Sequence, residues 1–425
     1  MINYETKFKE TEIGPIPDDW EVVEFGKALE VNPQRRISKG TKVKFIAMTD
    51  LDPFDKKISS FEVKEFNGGS KFMNGDTLMA RITPCLENGK TAFVDILEKD
   101  EIAGGSTEFI VLSGKNNLTD SKYIYYLTIS PDIRNIAIKA MSGTSGRQRV
   151  ELNKLEAENI IIPNIKEQNK IAEILSTLDD KIVLNRKMNK TLEEIGRAIF
   201  KRWFVDFEFP NERGKPYKSS GGKMIDSVLG EIPEGWDTKE AKDIFEFAKG
   251  FEPGADSYSA ILEEGMIPFY RVSDLYSGSN AGNFIDKELA VSEAVCNKQN
   301  VMVSFDATIG RVAVGLQGAY SSGIRKIYPK SSFSYFGNPF IYFWVNSSSF
   351  QDTLREYSEG TTIKHAGKAV NYLTITFKKE TVERFEDYCS GIYSQLLNNL
   401  DEIESLTKIR DLLLPKLMTG KIRVK

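Results

Sequence analysis

A chain of 425 residues is long enough for two or three domains, each burying its own core. Its composition is 40% hydrophobic, 11% aromatic and 28% charged with 32 Gly and 15 Pro, which excludes collagen-like and wholly disordered chains, and a net charge of -4 excludes a protein coated in positive charge. The single histidine, His365, and three scattered cysteines, Cys85, Cys296 and Cys389, exclude a multi-histidine metal site, a zinc ribbon and a disulfide framework, so a cytoplasmic chain is predicted.

Met1 to Glu10 is charged and polar, without the apolar stretch of a signal peptide, and no run approaches the roughly 18 apolar residues of a membrane span. A basic segment follows at Gln34 to Lys44, where Arg35, Arg36, Lys39, Lys42 and Lys44 give a local charge of +5 without an acid. Short alternating runs, Thr77 to Ile82 and Thr91 to Ile96, lie between turn residues and predict strands of a mixed α/β domain, with Arg81 near the end of the first. Asp76 and Glu87 read as turn or surface acids. From Ile133 to Val150 a second acid-free segment carries Arg134, Lys139, Arg147 and Arg149, and includes the loop S-G-T-S-G-R-Q-R with Thr144, Ser145 and Gln148.

A long helix is predicted from Ile165 to about Phe200. Asn164 can cap it and Glu167 can reach back in a capping box, and apolar residues recur at spacings of three and four through Ile171, Ile174, Leu175, Leu178, Ile182, Met188, Leu192, Ile195 and Ile199. After a Gly, Pro, Ser and Lys linker at Asn211 to Lys223 come Tyr270 beside Arg271, a strand at Val301 to Phe305, Asp306 as another turn acid, and Arg311. G-N-P-F at Gly337 to Phe340 reads as a turn entering a helix. Gly360 to Lys379 is basic and acid-free, with Thr361, Thr362, Lys364, His365, Lys368, Lys378 and Lys379. A second long helix starts at about Thr381, with a stripe of Ile392, Leu396, Leu400, Ile403, Leu406, Ile409 and Leu413, and Pro415 is expected to end or kink it.

The two halves repeat. I-G-P-I-P-D-D-W (Ile13 to Trp20) returns as L-G-E-I-P-E-G-W (Leu229 to Trp236), 216 residues later. Collinear echoes follow: A-G-G-S at Ala103 with A-Y-S-S at Ala319, Y-I-Y-Y at Tyr123 with F-I-Y-F at Phe340, S-G-T-S at Ser142 with E-G-T-T at Glu359, and L-E-E-I-G-R-A-I-F at Leu192 with L-T-K-I-R-D-L-L-L at Leu406. Five matches in order with nearly constant offset mark a duplicated unit. Each copy has a globular head and a closing amphipathic helix, and pairing the two helices as an intramolecular coiled coil covers both stripes.

Enzymatic motifs are missing. G-N-P-F lacks the second proline of an N-methyltransferase D/N-P-P-Y/F motif, and no G-x-x-x-x-G-K-[ST] phosphate loop occurs. The basic, hydroxyl-rich loops at matching places in both copies point instead to DNA: Arg and Lys neutralise phosphates, and Arg, Lys and Gln also read base edges. A stand-alone methyltransferase or nuclease with unrecognised motifs, and a coiled-coil scaffold that binds protein, are the alternatives.

The two-copy plan, the I-P-x-x-W openings, S-T-E-F-I-V-L (Ser106 to Leu112), K-R-W-F-V-D-F-E (Lys201 to Glu208) and R-D-L-L-L-P-K-L-M-T-G-K-I-R-V (Arg410 to Val424) resemble the specificity subunits of type I restriction-modification enzymes over essentially the whole chain. The resemblance implies an α/β (α+β) fold with target recognition domains at 1–163 and, after a linker, within 209–379, separated by conserved helical spacers at 164–208 and 380–425 that pair as a long antiparallel coiled coil. It also implies a non-catalytic subunit that recognises a two-part, asymmetric sequence in double-stranded DNA and docks two modification (methyltransferase) subunits, with restriction subunits joining them. S-adenosylmethionine, ATP and Mg would then belong to the partners, and no metal or catalytic residue is assigned to this chain.

Overall fold

The computed structural model describes residues 7–144, 146–227, 230–360 and 364–424. They form two compact units: the described parts of Met1–Lys181 with Leu406–Lys425, and of Ile182–Ser405. The class is mixed α/β, as the alternating strand runs predict.

The two units share one sheet plan. In the first, Glu62–Glu65, Lys42–Ile46, Ala103–Gly105 and Ser70–Phe72 lie side by side in one sheet, and Leu29–Val31, Phe109–Gly114, Thr77–Ala80 and Thr91–Phe93 in another. In the second, Asn283–Asp286, Met266–Tyr270, Gly318–Tyr320 and Val295–Cys296 repeat the first order, and Phe245–Lys249, Ile324–Pro329, Val301–Ser304 and Val312–Ala313 repeat the second. Each unit has one parallel pairing in these sheets, at the same place: Gly105 opposite Ile46, and Tyr320 opposite Tyr270. That register corrects one expected match by a residue. Ser106 N–H donates to the Ile46 carbonyl and Ser321 N–H to that of Tyr270, so Ser106 corresponds to Ser321, whereas the A-G-G-S and A-Y-S-S alignment places it at Ser322.

Each unit has its own core. Trp20, Phe25, Ile110 and Tyr123 pack with Ile171, Leu175, Leu414 and Leu417 in the first. In the second, Trp236, Phe245, Phe340 and Phe385 pack with Phe200, Trp203 and Phe204. Both opening tryptophans are covered by the segment that follows a long helix. Arg423 lies over the Trp20 ring at 5.5 Å, and Phe207 and Phe209 sit 5.4 and 5.0 Å from the ring of Trp236.

The long helices span Ile165–Phe204 and Lys379–Met418. Pro415 lies inside the second helix and does not end it: the helix runs three residues further, to Met418, and Thr419 N–H reaches the Pro415 carbonyl at 3.1 Å. Only half of the expected capping box forms. Asn164 Oδ1 accepts the Glu167 N–H at 3.1 Å, but the Glu167 carboxylate turns to Arg423 and the Trp20 indole, which offer stronger donors than the cap backbone.

The seam between the helices is more polar than the apolar stripe suggests. Ile174, Met188 and Ile195 are exposed, while Asp179, Asn185 and Asn189 are buried. Arg410 Nη1 donates to Asp179 at 2.8 Å in the first unit; in the second, Asn185 Nδ2 donates to Glu402 and Asn399 Nδ2 to Asn189, both at 2.8 Å. Within the second unit, as the first number rises from 185 to 189 its partner falls from 402 to 399, so the strips there run antiparallel. Paired polar groups at such seams specify register at some cost in stability.

G-N-P-F does enter a helix, Asn338–Val345, capped from outside: Glu386 accepts the N–H groups of Gly337 and Phe340 at 2.8 and 2.9 Å. Burial nevertheless pushes the Glu386 carboxyl up to about 7. A folded value above the ordinary 4.5 means that the stability this group contributes is fully present below pH 4.5 and is lost as pH rises through 7. Glu386→Gln keeps an acceptor and removes the titration, so thermal melts from pH 5 to 8 should show the variant gaining on the native chain as pH rises, by on the order of 3 kcal/mol at most. Parallel pH profiles would refute this.

Candidate nucleic-acid interface

In each unit a basic hairpin is pinned to the end of a central strand. In the first, Met141–Ser142 pairs with Arg149–Val150, and Val150 N–H donates to the Arg81 carbonyl at 2.9 Å, just past strand Thr77–Ala80. In the second, Glu359 bridges to His365, and Ala366 N–H donates to the Phe305 carbonyl at 2.7 Å, just past Val301–Ser304. Ile82 faces Arg149 as Asp306 faces His365. The two loops that sequence matching pairs therefore occupy one place in the common framework.

Their side chains divide between free and paired charge. Thr144 and Arg147 are exposed at the first hairpin's tip, with no ion pair for Arg147 among the described residues; Gln148 is half-buried. Arg149 grips Glu108 with Nε and Nη2 at 2.7 to 3.0 Å, and these hydrogen bonds hold the Glu108 carboxyl below its ordinary range. In the second hairpin Lys364 is exposed, His365 Nδ1 lies 2.8 Å from Asp306, and Lys368 pairs with Glu359 at 3.0 Å. Ser145, Thr361 and Thr362 lie outside the described residues.

The Gln34 to Lys44 run is split by the fold. Arg36, Lys39 and Lys42 are exposed. Lys44 donates to Glu101 at 2.9 Å and to the Ile96 carbonyl. Arg35 is corrected as a surface contact: its guanidinium forms a two-point pair with Asp76, which is buried and so is no surface acid. Asp76 also accepts the Met73 N–H, tying Arg35 to the turn before the central strand.

Tyr270 is corrected as well. It is buried, and burial pushes its hydroxyl up to about 12, so it is a core residue. Arg271 is exposed, with its guanidinium 4.3 Å from the Tyr258 ring centroid. Arg311 serves the framework: Nη1 donates to the Val272 carbonyl at 2.9 Å, as Lys90 Nζ donates to that of Met48 at 2.8 Å at the corresponding place in the first unit. Each cation holds a short turn of 3-10 helix, Met48–Asp50 or Val272–Asp274, in which Asp50 or Asp274 accepts the N–H three residues earlier. The repeated T/S-D-L at Thr49 and Ser273 is the sequence signal for this turn, and it escapes notice because its offset of 224 differs from the 216 of the openings.

Arg81 lines a cleft whose other polar walls are Arg35 and five residues that sequence reasoning does not single out, Asn32, Gln34, Ser70, Lys71 and Thr107. Among the described residues no helix is long and apolar enough to cross a membrane, and no three His, Cys, Asp or Glu side chains gather as a metal site.

Comparison with known proteins supports the same direction. Residues 17–194 and 233–375 match the family described as type I restriction modification DNA specificity domain. The chain is similar to the type I restriction enzyme MjaIX specificity subunit of Methanocaldococcus jannaschii, 28% identical over 99% of this chain and 98% of that one. It is similar to the HindI specificity subunit of Haemophilus influenzae at 24% identity, over 95% of this chain and all of the other. The crystal structure of a type I restriction-modification S subunit from M. genitalium shares the fold, with a TM-score of 0.54, 14% identity, and coverage of 98% of this chain and 97% of that one.

Proposed function

From the premise that this chain belongs to the type I restriction-modification DNA specificity family, matched once in each half, we propose that it is the non-catalytic subunit that selects the DNA sequence for a type I complex. The observation that carries the reading is the pair of topologically identical heads, each presenting a basic hairpin at the end of the same strand. Exposed cations supply salt-dependent attraction to phosphates, and hydroxyl and amide side chains near them read base edges. Two different heads on one chain read two different half-sites, which makes the target bipartite and asymmetric. The paired helices, 40 residues each, set the unread gap and dock two modification subunits, to which the restriction subunits attach. S-adenosylmethionine belongs to the modification subunits; ATP and Mg serve the restriction subunits.

Methylation-sensitive sequencing of a cell that expresses this chain with its modification partner tests the proposal. The expected result is one motif with two defined halves around a fixed unread gap. A continuous motif, or methylation that does not change when residues 1–163 are exchanged for a related domain, would overturn it.

A further inference from the structure

A cleft of ≈ 320 Å³ opens in the first unit beside Ser70, Lys71 and Arg81, and no acid lines it. Two features point to an anionic occupant. First, Arg81 gives Nη2 to the Val150 carbonyl at 3.3 Å, yet its Nε is buried without a hydrogen-bond partner, and so is the Ser70 hydroxyl. A buried donor left unpaired costs about 1–3 kcal/mol, so two in one cleft mark a place where a ligand supplies the acceptor. Second, positive charge is in excess. Asp76 neutralises Arg35 and Glu108 is held by Arg149, while Lys71 has no ion pair among the described residues and only the Phe66 ring beside it, 5.7 Å from Nζ.

The framework does not require these residues. Strand register places Val295 where the first unit has Lys71, and Ala294 where it has Ser70. The hairpin bond to the strand end places Phe305 where it has Arg81. The same sheets thus fold with apolar side chains at all three positions, so the polar set in the first unit has a use other than folding.

We propose that this cleft seats a backbone phosphate of the bound duplex, with Arg81 Nε and Ser70 Oγ donating to its non-bridging oxygens and Lys71 balancing its charge. The proposal rests on the DNA-selecting function argued above. The free charged groups are donors only, which suits an oxyanion better than a base edge, where donors and acceptors alternate. A phosphate contact positions the duplex without reading sequence.

The test uses the full chain assembled with its modification partner, a duplex of arbitrary sequence and a salt titration. Lys71→Met and Arg81→Gln should each flatten the slope of log affinity against log salt by about 0.9, weaken binding roughly tenfold near physiological salt, and leave the methylated sequence in cells unchanged. Lys71→Met removes no side-chain hydrogen bond among the described residues and guards against misfolding in the Arg81 variant. Unchanged slopes in both variants alongside normal native binding would overturn the phosphate seat alone, and an altered methylated sequence would make the cleft a base reader. Failure of the native complex to bind any duplex would overturn the parent function together with the seat. In a second arm, inorganic phosphate stabilises the native chain against heat. If both variants lose that stabilisation but keep their DNA slopes, the occupant is a free phosphate and the assignment to DNA falls.

Discussion

Glu167→Ala should destabilise the first unit by about 3 kcal/mol, the low end for breaking a buried ion pair, because Arg423 keeps a second, partly exposed partner in Asp19. The Glu167 side chain is 3% exposed and that of Arg423 is 7%. Glu167 accepts Arg423 Nε at 2.7 Å and Nη2 at 2.8 Å, and the Trp20 indole N–H at 3.0 Å. One carboxylate therefore joins the start of a long helix, the opening I-P-x-x-W segment and the tail after Met418. Removing it strands the indole and leaves the guanidinium with Asp19, 2.7 Å from Nη2. Arg423→Ala should cost a similar amount, and the double variant should be no worse than either single, because both remove one interaction. Hydrogen exchange of the first unit's amides in urea, which follows that unit without assuming that the whole chain unfolds in one step, reads the loss. A drop below about 1 kcal/mol in both singles would show that the pair is not what fastens the tail.

The tail's role illustrates what was legible in the sequence. Periodicity gave both long helices, which start 214 residues apart, the offset of the L-E-E-I and L-T-K-I match. A pattern of three and four has a local cause, so it can be read locally. The seam is different: Asn189 and Asn399 are polar residues inside an apolar register, and only their contact across the pair explains their burial. The same holds for the basic segments. A run of five cations looks uniform until Arg35 meets Asp76, 41 residues on, and Lys44 meets Glu101, 57 residues on. Charge counting located both hairpins but could not tell Arg147 from Arg149, because Glu108 reaches the second from a different strand end. Ser70 and Lys71 carry no motif; only strand order brings them beside Arg81.

This division between free and paired cations sharpens the DNA-binding expectation. Charge reversal of Arg147, Arg149, Lys364 and Lys368 together should abolish measurable binding at physiological salt and remove most of the hairpins' share of the salt slope. The two halves of that set should act differently. Arg147 and Lys364 are exposed without ion pairs among the described residues, so neutralising them should flatten the slope by about two contacts' worth, about 1.8, and weaken binding roughly a hundredfold. Arg149 and Lys368 already sit on Glu108 and Glu359, so each pair is nearly neutral toward a phosphate, and neutralising these cations acts mainly by baring a carboxylate. Removing the acid as well, as in Arg149→Ala with Glu108→Ala, should then restore most of the affinity lost in Arg149→Ala alone. Equal slopes for the two halves would mean that the exposed pairs break on binding and all four cations reach phosphate. An unchanged slope after reversal of all four would take the hairpins out of the interface and leave the exposed Arg36, Lys39 and Lys42 and the Arg81 cleft to hold the duplex.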